Sequence, residues 1–491
     1  MKELHSFSKR RLLKKAVVGA FGAYFPGNVL FANDKYAGSE QNTLEQKIVK
    51  EVKLLAKGRD LTVTILQPKG SLGNLKPIAD IFSEQTGVQI EYIEASVDEI
   101  NAKIMAQSLS STTNFDIALP ATFGLPDLIE AGAIRDLDEF VDKYEPNEFS
   151  KDMLYSVGDF YKGKFYGYQT DGDTYVMFYN NDWLQDKTEK KKFEIEYGYP
   201  LDVPKTWEQL DQMIRFFHRP DEKKYGGALY RNKDYIAWEW WVRFHAKGFF
   251  PFDNKLSPQI NNESGVKALS ELVATSNYLY PNAKTNGLFE NWEAFAEGNM
   301  FCNIGWGGTQ KYLNGKNSKI RNNLAFGPTP GGFVNNSLIH APYFNWGWNY
   351  TVSSFSNEPE ISYLFTLFAC SPAMSTKAVQ YPSGYFDPFR VEHYDDPKIQ
   401  ATYSKKFLDA HKFSMKNSIP DLYLTGQGEY WDVLKENIDL ADRGKMSPKF
   451  ALEATADTWD QISTRYGKSS QLEQWEYLKT RYPDKIRKSL I

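Results

Sequence analysis

Two cysteines, Cys302 and Cys370, and six scattered histidines are all that 491 residues offer for thiol or metal chemistry. Neither a CxxC pair nor an HExxH pair occurs, which excludes the zinc and dithiol centres built on those spacings. GxSxG and GxxxxGK(S/T) are also missing, so neither a hydrolase nucleophile elbow nor a phosphate loop of that type is present. There is no internal repeat and no low-complexity tract after the first 32 residues. Positive charge is also not in excess, with 58 Lys and Arg against 62 Asp and Glu. The net charge is −4, and residues 1–32 carry six basic residues against Glu3, so the chain beyond them stands at −9. An acidic chain without a basic stripe is a poor partner for nucleic acid.

One basic cluster lies at the N-terminus. Ser8 to Lys14 reads SKRRLLK, close to the twin-arginine export pattern, with Leu12 where that pattern prefers Phe. A moderately apolar run from Ala16 to Phe31 follows, interrupted by Gly19, Gly22, Pro26 and Gly27, which suits an export signal better than a permanent span. Cleavage is expected near Ala32, by the twin-arginine or the general secretory route, giving a periplasmic protein. No cysteine follows to carry a lipid anchor. Length implies two to three domain-sized units. Aromatic residues make up 15% of the chain, with 12 Trp and 30 Tyr, enough for flat ligand faces besides the core. Residues 33–60 carry Leu44, Ile48, Val52 and Leu55 at helical spacing, a leading helix. Asp186 to Glu196, DKTEKKKFEIE, reads as a solvated insertion. Alternating strands and helices predict an α/β architecture with mixed sheets.

The most telling stretch runs from Gly163 to Leu184, GKFYGYQTDGDTYVMFYNNDWL. A turn at Gly163-Lys164 leads to a short aromatic strand, Phe165, Tyr166 and Tyr168. YVMFY, Tyr175 to Tyr179, is apolar throughout, as in a strand buried on both faces. Asn180 and Asn181 then cap a helix. Between the strands lies TDGD, whose acids Asp171 and Asp173 fall where one sheet hands over to another, the pattern of a hinge between two lobes. A turn acid satisfying local backbone is the plainer reading of these carboxylates, and a DxD metal site a third.

Further pieces recur in a fixed order: LTVTILQPKGSLGNLKPIADIFSEQTGVQIEYIEAS from Leu61, FDIALPA from Phe115, LIEAGAIRDLDEFV from Leu128, PKTWEQL from Pro204, AFAEGNMFCNIGW from Ala294 and AFGPTPGG from Ala325. Together they resemble the extracellular solute-binding proteins of ABC importers, in particular the carbohydrate-binding group with maltose- and glycerol-phosphate-type receptors, over about 61–467. The resemblance implies the type II periplasmic binding protein fold, two discontinuous α/β lobes joined by hinge strands. The expected division is lobe one at 61–174 plus 346–395, lobe two at 175–345 plus 396–470, and a C-terminal helical tail at 471–491. Cys302 and Cys370 would then lie in different lobes as buried free thiols. The resemblance also implies a monomer that closes on a small-molecule ligand and presents it to a membrane permease, with no cofactor.

Site residues follow from it. Asp173 occupies the place of an acid on the first hinge strand, with Asp171 on the same strand face, and a carboxylate accepts two hydroxyl hydrogen bonds at once. Trp306 matches the aromatic platform of lobe two, and either Tyr430 or Trp431 an aromatic at the start of a C-terminal helix. Lobe one would contribute Lys69, Gly70 and Ser71 after the first strand, and Thr122 and Phe123 after the third. That last loop, PATFG, lacks the aromatic and charged residues of maltose-type receptors, which argues against a long maltodextrin. Tyr235, Trp238, Trp346 and Trp348 are further platforms, whereas Trp240 and Trp241 read as helical core. Tyr385 and Arg390 lie where related receptors place a contact after a glycine.

Two function classes remain open from sequence. One is a receptor for a small carbohydrate or polyol, with an amine-bearing ligand as a variant because carboxylates framed by aromatics also hold cations. Glycerol phosphate fits less well beside two acids. The other class is an exported glycoside hydrolase using Asp171 and Asp173, although such acids normally come from different elements.

Overall fold

Alternation of apolar residues along Thr62–Pro68 buries Val63 and Ile65 on one face, and this strand seeds the first of two mixed sheets. In a computed structural model, which describes residues 43–110, 113–382 and 384–491, that sheet has the strand order Gln89–Ala95, Thr62–Pro68, Ile117–Ala118, Asn349–Val352, Gly167–Gln169. The first three strands run parallel, and Asn349–Val352 is antiparallel to both its neighbours. The second sheet has the order Leu324–Pro328, Val176–Asn180, Met300–Gly305, Tyr225–Ala228, with only the last pair parallel. The expected export segment, 1–32, and residues 33–42 of the expected leading segment lie outside the described residues.

Helix ends follow local chemistry. Thr43 and Gln46 form a reciprocal capping box on Leu44–Ala56, whose Ile48, Val52 and Ala56 pack against helices Leu72–Thr86 and Pro359–Ala369. Leu72–Thr86 ends where Gly87 takes a left-handed backbone, φ 86°. Asn180 accepts from the Trp183 N–H and caps the next helix. The run at 175–179 becomes the central strand Val176–Asn180, with all five residues buried. Phe178 stacks on Phe407 of helix Lys405–Asn417, and Tyr179 meets Phe301 on the other side, which in turn stacks on Phe217 of helix Trp207–Phe217. Helices therefore cover both faces, the reason no polar alternation appears in its sequence.

Two local expectations change. The aromatic strand from Phe165 splits: Phe160–Tyr161 and Lys164–Phe165 form a hairpin around Lys162 and Gly163, both at positive φ, and only Gly167–Gln169 joins the large sheet. The charged insertion is a regular helix, Lys187–Tyr197, capped by Asp186, with Phe193 buried and Glu189 paired with Arg219.

The chain passes between the sheets more than once. Thr170–Tyr175 leaves the first sheet for the second, and Tyr343–Trp348 returns beside it. The Thr170 N–H donates to Trp348 O (2.9 Å) and the Tyr175 N–H to Tyr343 O (3.1 Å), so the two crossings are backbone-paired. Helices Pro359–Ala369 and Pro372–Val379 then pack on the first sheet's layer. After a further crossing near residues 384–396, Pro397–Tyr403 and Lys405–Asn417 pack on the second. Helices Ile236–His245, Glu263–Ser276, Gln427–Asp442 and Pro448–Arg465 complete that side. They enclose a buried ion network in which Glu239 bridges Arg231 (2.6 Å) and Arg243 (2.9 Å), and Arg243 also pairs with Asp211 (2.7 Å). The C-terminal helix begins at Lys468, and the Ile491 N–H donates to Gly248 O (2.9 Å), so the tail is part of this packing. Cys302 and Cys370 are both buried and free.

Candidate functional site

Both crossings, and the segment around Asp387, meet at one cavity between the sheets. The first crossing is a turn rather than a strand where its acids lie. Asp171 Oδ1 accepts from the Asp173 N–H (3.2 Å), while Asp171 Oδ2 is buried and accepts nothing. The two carboxylates therefore do not share a strand face. Asp171 is fully buried, and Asp173, 7% exposed, borders the cavity. Gly172 between them lies so close to the third crossing that a Cβ would sit 2.1 Å from Pro388 O. Its carbonyl accepts from His411 Nε2–H (2.8 Å), and His411 Nδ1 lies 2.8 Å from the Tyr394 hydroxyl, which also donates to Pro388 O (3.1 Å). Because a carbonyl can only accept, Nε2 carries a proton, and burial disfavours a second one on Nδ1. Burial pushes this histidine's pKa down to about 4.

Two partners of these acids went unrecognised in the sequence. Asp387 lies in SGYFDPFR, between the two residues expected to contact ligand. It accepts from the Gly308 N–H (3.1 Å) and the Tyr403 hydroxyl (2.6 Å), and Lys311 Nζ lies 3.8 Å away. A Cβ on Gly307 would fall 2.3 Å from the Asp387 carboxyl carbon, so the Gly307-Gly308 pair is what lets this acid approach. Burial raises the pKa of Asp171, Asp173 and Asp387 above the ordinary carboxylate range, and for Asp171 and Asp173 the neighbouring carboxylates add to it. Lys311 is lowered by burial, against the pull of the three acids. The sequence signal was available in the glycine pair and in the lysine one helical turn further on, but nothing local ties either to Asp387.

The walls are aromatic. Trp306 comes from the end of Met300–Gly305; its Nε1–H donates to Asn345 Oδ1 (3.2 Å), and its ring lies 5.1 Å from Tyr175. Trp346 and Trp348 come from the return crossing, Tyr385 from the third, and Trp292, also unforeseen, from helix Leu288–Ala296. Val97, Leu288 and Gly308 close the remainder. The cavity volume is about 40 Å³, room for about three waters at ~10–15 Å³ each. Trp346 has φ 72°, a left-handed backbone that costs a bulky residue ~1–3 kcal/mol. It is held there by Thr122, whose N–H (2.8 Å) and hydroxyl (2.9 Å) both donate to Trp346 O.

The other expected residues are dispersed. Phe123, Tyr235 and Trp238 pack behind Trp346, with ring centroids 5.4–5.6 Å from it, and do not line the cavity. Lys69 is exposed; Gly70 passes beneath the Tyr385 ring, and Ser71 is buried with its hydroxyl unpartnered. Arg390 is placed elsewhere. Its guanidinium is fully buried, pairs with Asp152 and donates to Cys370 O (2.7 Å) and Phe149 O (3.2 Å), so it ties loops together and offers nothing to an anion. Neither Tyr430 nor Trp431 reaches the cavity. Helix Gln427–Asp442 is buried among its neighbours, so the Tyr430 hydroxyl pairs with Ser463 Oγ (2.8 Å) and Trp431 Nε1–H donates to Asp421 (2.8 Å).

The fold recurs in solved proteins. A solute-binding protein of Agrobacterium radiobacter K84 in complex with ribitol superposes with a TM-score of 0.68 at 18% identity, over 82% of this chain and 98% of that one. A maltose-bound protein of T. maritima, MalE3, gives 0.69 at 17% identity, over 82% and 100%. One from Agrobacterium vitis S4 with bound D-mannitol gives 0.65 at 16%, over 83% and 99%. In sequence, a probable amino-acid ABC transporter periplasmic-binding protein of Sinorhizobium fredii (strain NBRC 101917 / NGR234) is 22% identical over 325 residues, 65% of this chain and 70% of that protein. The family model for bacterial extracellular solute-binding proteins matches residues 77–405. That match spans more than half of the chain, and the protein belongs to the bacterial extracellular solute-binding family.

Proposed function

We propose that this protein is the receptor of an ABC importer and captures a small sugar or polyol by closing its two lobes. The observation that carries the reading is the cavity itself, where Asp173, Trp306 and Trp346 converge at the paired crossings. A carboxylate accepts two hydroxyls, and indole faces cover the apolar faces of a sugar ring or polyol chain. Ribitol, mannitol and maltose in proteins of the same fold support this ligand class. A 40 Å³ space favours a small ligand that enters when the lobes part. The hinge would be Thr170–Tyr175 with Tyr343–Trp348, dividing lobe one (61–174 and 346–395) from lobe two (175–345 and 396–470). The closed form is what a permease would recognise. Export with cleavage near Ala32, a periplasmic location and a monomeric state complete the reading.

The protein is not a glycoside hydrolase on this account. Asp171 and Asp173 lie in one turn, and Asp171 is fully buried with one oxygen on the Asp173 N–H, so they do not flank a scissile bond. A thermal-shift panel of the mature chain with ribitol, D-mannitol, D-sorbitol, D-glucose and maltose tests the proposal. The melting point should rise by several degrees with at least one, since a ligand bound only by the folded form stabilises it. Silence across the panel and across their aminated analogues would refute it.

A further inference from the structure

Among the described residues, buried carboxyls outnumber buried ammonium groups at the crossing. Three carboxyls, Asp171, Asp173 and Asp387, act on a single buried ammonium, Lys311. That ammonium is already committed, donating to Gly384 O (2.8 Å) and Phe386 O (3.1 Å) on Asp387's own segment. Asp387 is satisfied by Gly308 and Tyr403, whereas Asp173 faces the cavity and Asp171 Oδ2 behind it lacks a donor. Burial holds Asp171 and Asp173 above the ordinary carboxylate range, and a cation at Asp173 would stabilise their ionised forms, whereas a neutral sugar supplies hydroxyl donors alone.

A second, independent feature faces the same space. Trp346, 4% exposed on the cavity wall, has an indole N–H without a partner. With no partner among the described residues, this donor would be satisfied by a ligand oxygen, which a bare ammonium lacks. The approach is acidic too. Asp98 adjoins the cavity residue Val97, and Glu99, Asp234 and Glu290 are near enough, together with burial, to raise its pKa. These acids come from both sides of the cleft and would draw a cation toward it. The indoles inside add cation–π attraction. Among the described residues, no three His, Cys, Asp or Glu side chains are placed to hold a metal ion.

We propose that the ligand is a polyhydroxylated amine, a sugar or polyol carrying a protonated nitrogen, with the ammonium seated at Asp173 and a hydroxyl oxygen accepting from Trp346. This rests on the reading of the cavity as a sugar or polyol site and narrows it.

The test is calorimetric titration of the mature chain with matched pairs near neutral pH: D-glucose against D-glucosamine, and D-sorbitol against its 1-amino-1-deoxy analogue, with putrescine as an amine without hydroxyls. The aminated member of at least one pair should bind about tenfold more tightly or better, equivalent to ~1.4 kcal/mol. The preference should shrink with added salt and collapse toward unity in Asp173→Asn, a change that keeps the side chain's shape. Neutral members that bind as tightly as their amines would overturn this inference and leave the sugar reading standing. Tighter binding of putrescine than of either pair, or no binding by any compound, would overturn both.

Discussion

Acid should loosen the crossing through one histidine. His411 is fully buried, its Nε2–H holds the carbonyl of Gly172 between the two site acids, and its pKa is pushed down to about 4 from an ordinary 6.5. Above pH 6.5 the group is neutral in both folded and unfolded chains, and its contribution to stability is complete. As pH falls below 6.5 the unfolded chain takes up a proton that the folded one refuses, so stability drops by ~1.4 kcal/mol per pH unit until about pH 4. The full loss is about 3 kcal/mol from this residue. His245, buried and also lowered to about 4, adds to the total, and the raised carboxyls of the site pull the other way. A difference measurement isolates His411. Urea denaturation of the wild type and of His411→Gln, whose amide can still donate to Gly172, should show wild type more stable at pH 7.5. That advantage should shrink by about 3 kcal/mol on going to pH 4. An advantage that stays constant with pH would refute the assignment of a neutral, proton-refusing imidazole at this position.

Glu239→Gln leaves Arg231 and Arg243 buried with reduced compensation, and equilibrium denaturation should record a loss of about 3–5 kcal/mol. Gly172→Ala forces a Cβ against Pro388 O; about 1–3 kcal/mol of destabilisation and loss of ligand-induced melting shift should follow, measured by calorimetry. Trp306 is buried against Tyr175 and Trp346, so Trp306→Ala should cost about 3 kcal/mol in urea titration as well as sugar or polyol binding by isothermal titration. Unchanged binding in that variant would place the site elsewhere.

Elements set by local chemistry were legible in the sequence. The stop at Thr86-Gly87, the cap at Asn180 and the doubly covered strand through Phe178 depend on neighbours a few residues away, and all stand where the residue pattern puts them. Of the cavity walls, Asp173, Trp306, Trp346, Trp348 and Tyr385 were identified, and the structure gathers them around one space. What could not be read depends on segments far apart in the chain. Asp387 meets Lys311 only because the third crossing lies against the turn after Met300–Gly305. Arg390 is occupied by Asp152, more than two hundred residues earlier, which no local pattern announces. Tyr430 and Trp431 occupy helix faces whose register is decided by the packing of Pro448–Arg465 and Ile236–His245. The turn at Asp171-Gly172-Asp173 was read as strand because its flanks are strands, whereas contact with Pro388 bends it.

Calorimetric titration of the purified mature chain with the neutral and aminated sugars and polyols, followed by recovery of the ligand, bears most directly on the central claim. The account predicts saturable binding of one compound class at a single site per chain, with the ligand recovered chemically unchanged. Absence of saturable heat with every compound, or recovery of a hydrolysed product, would contradict it.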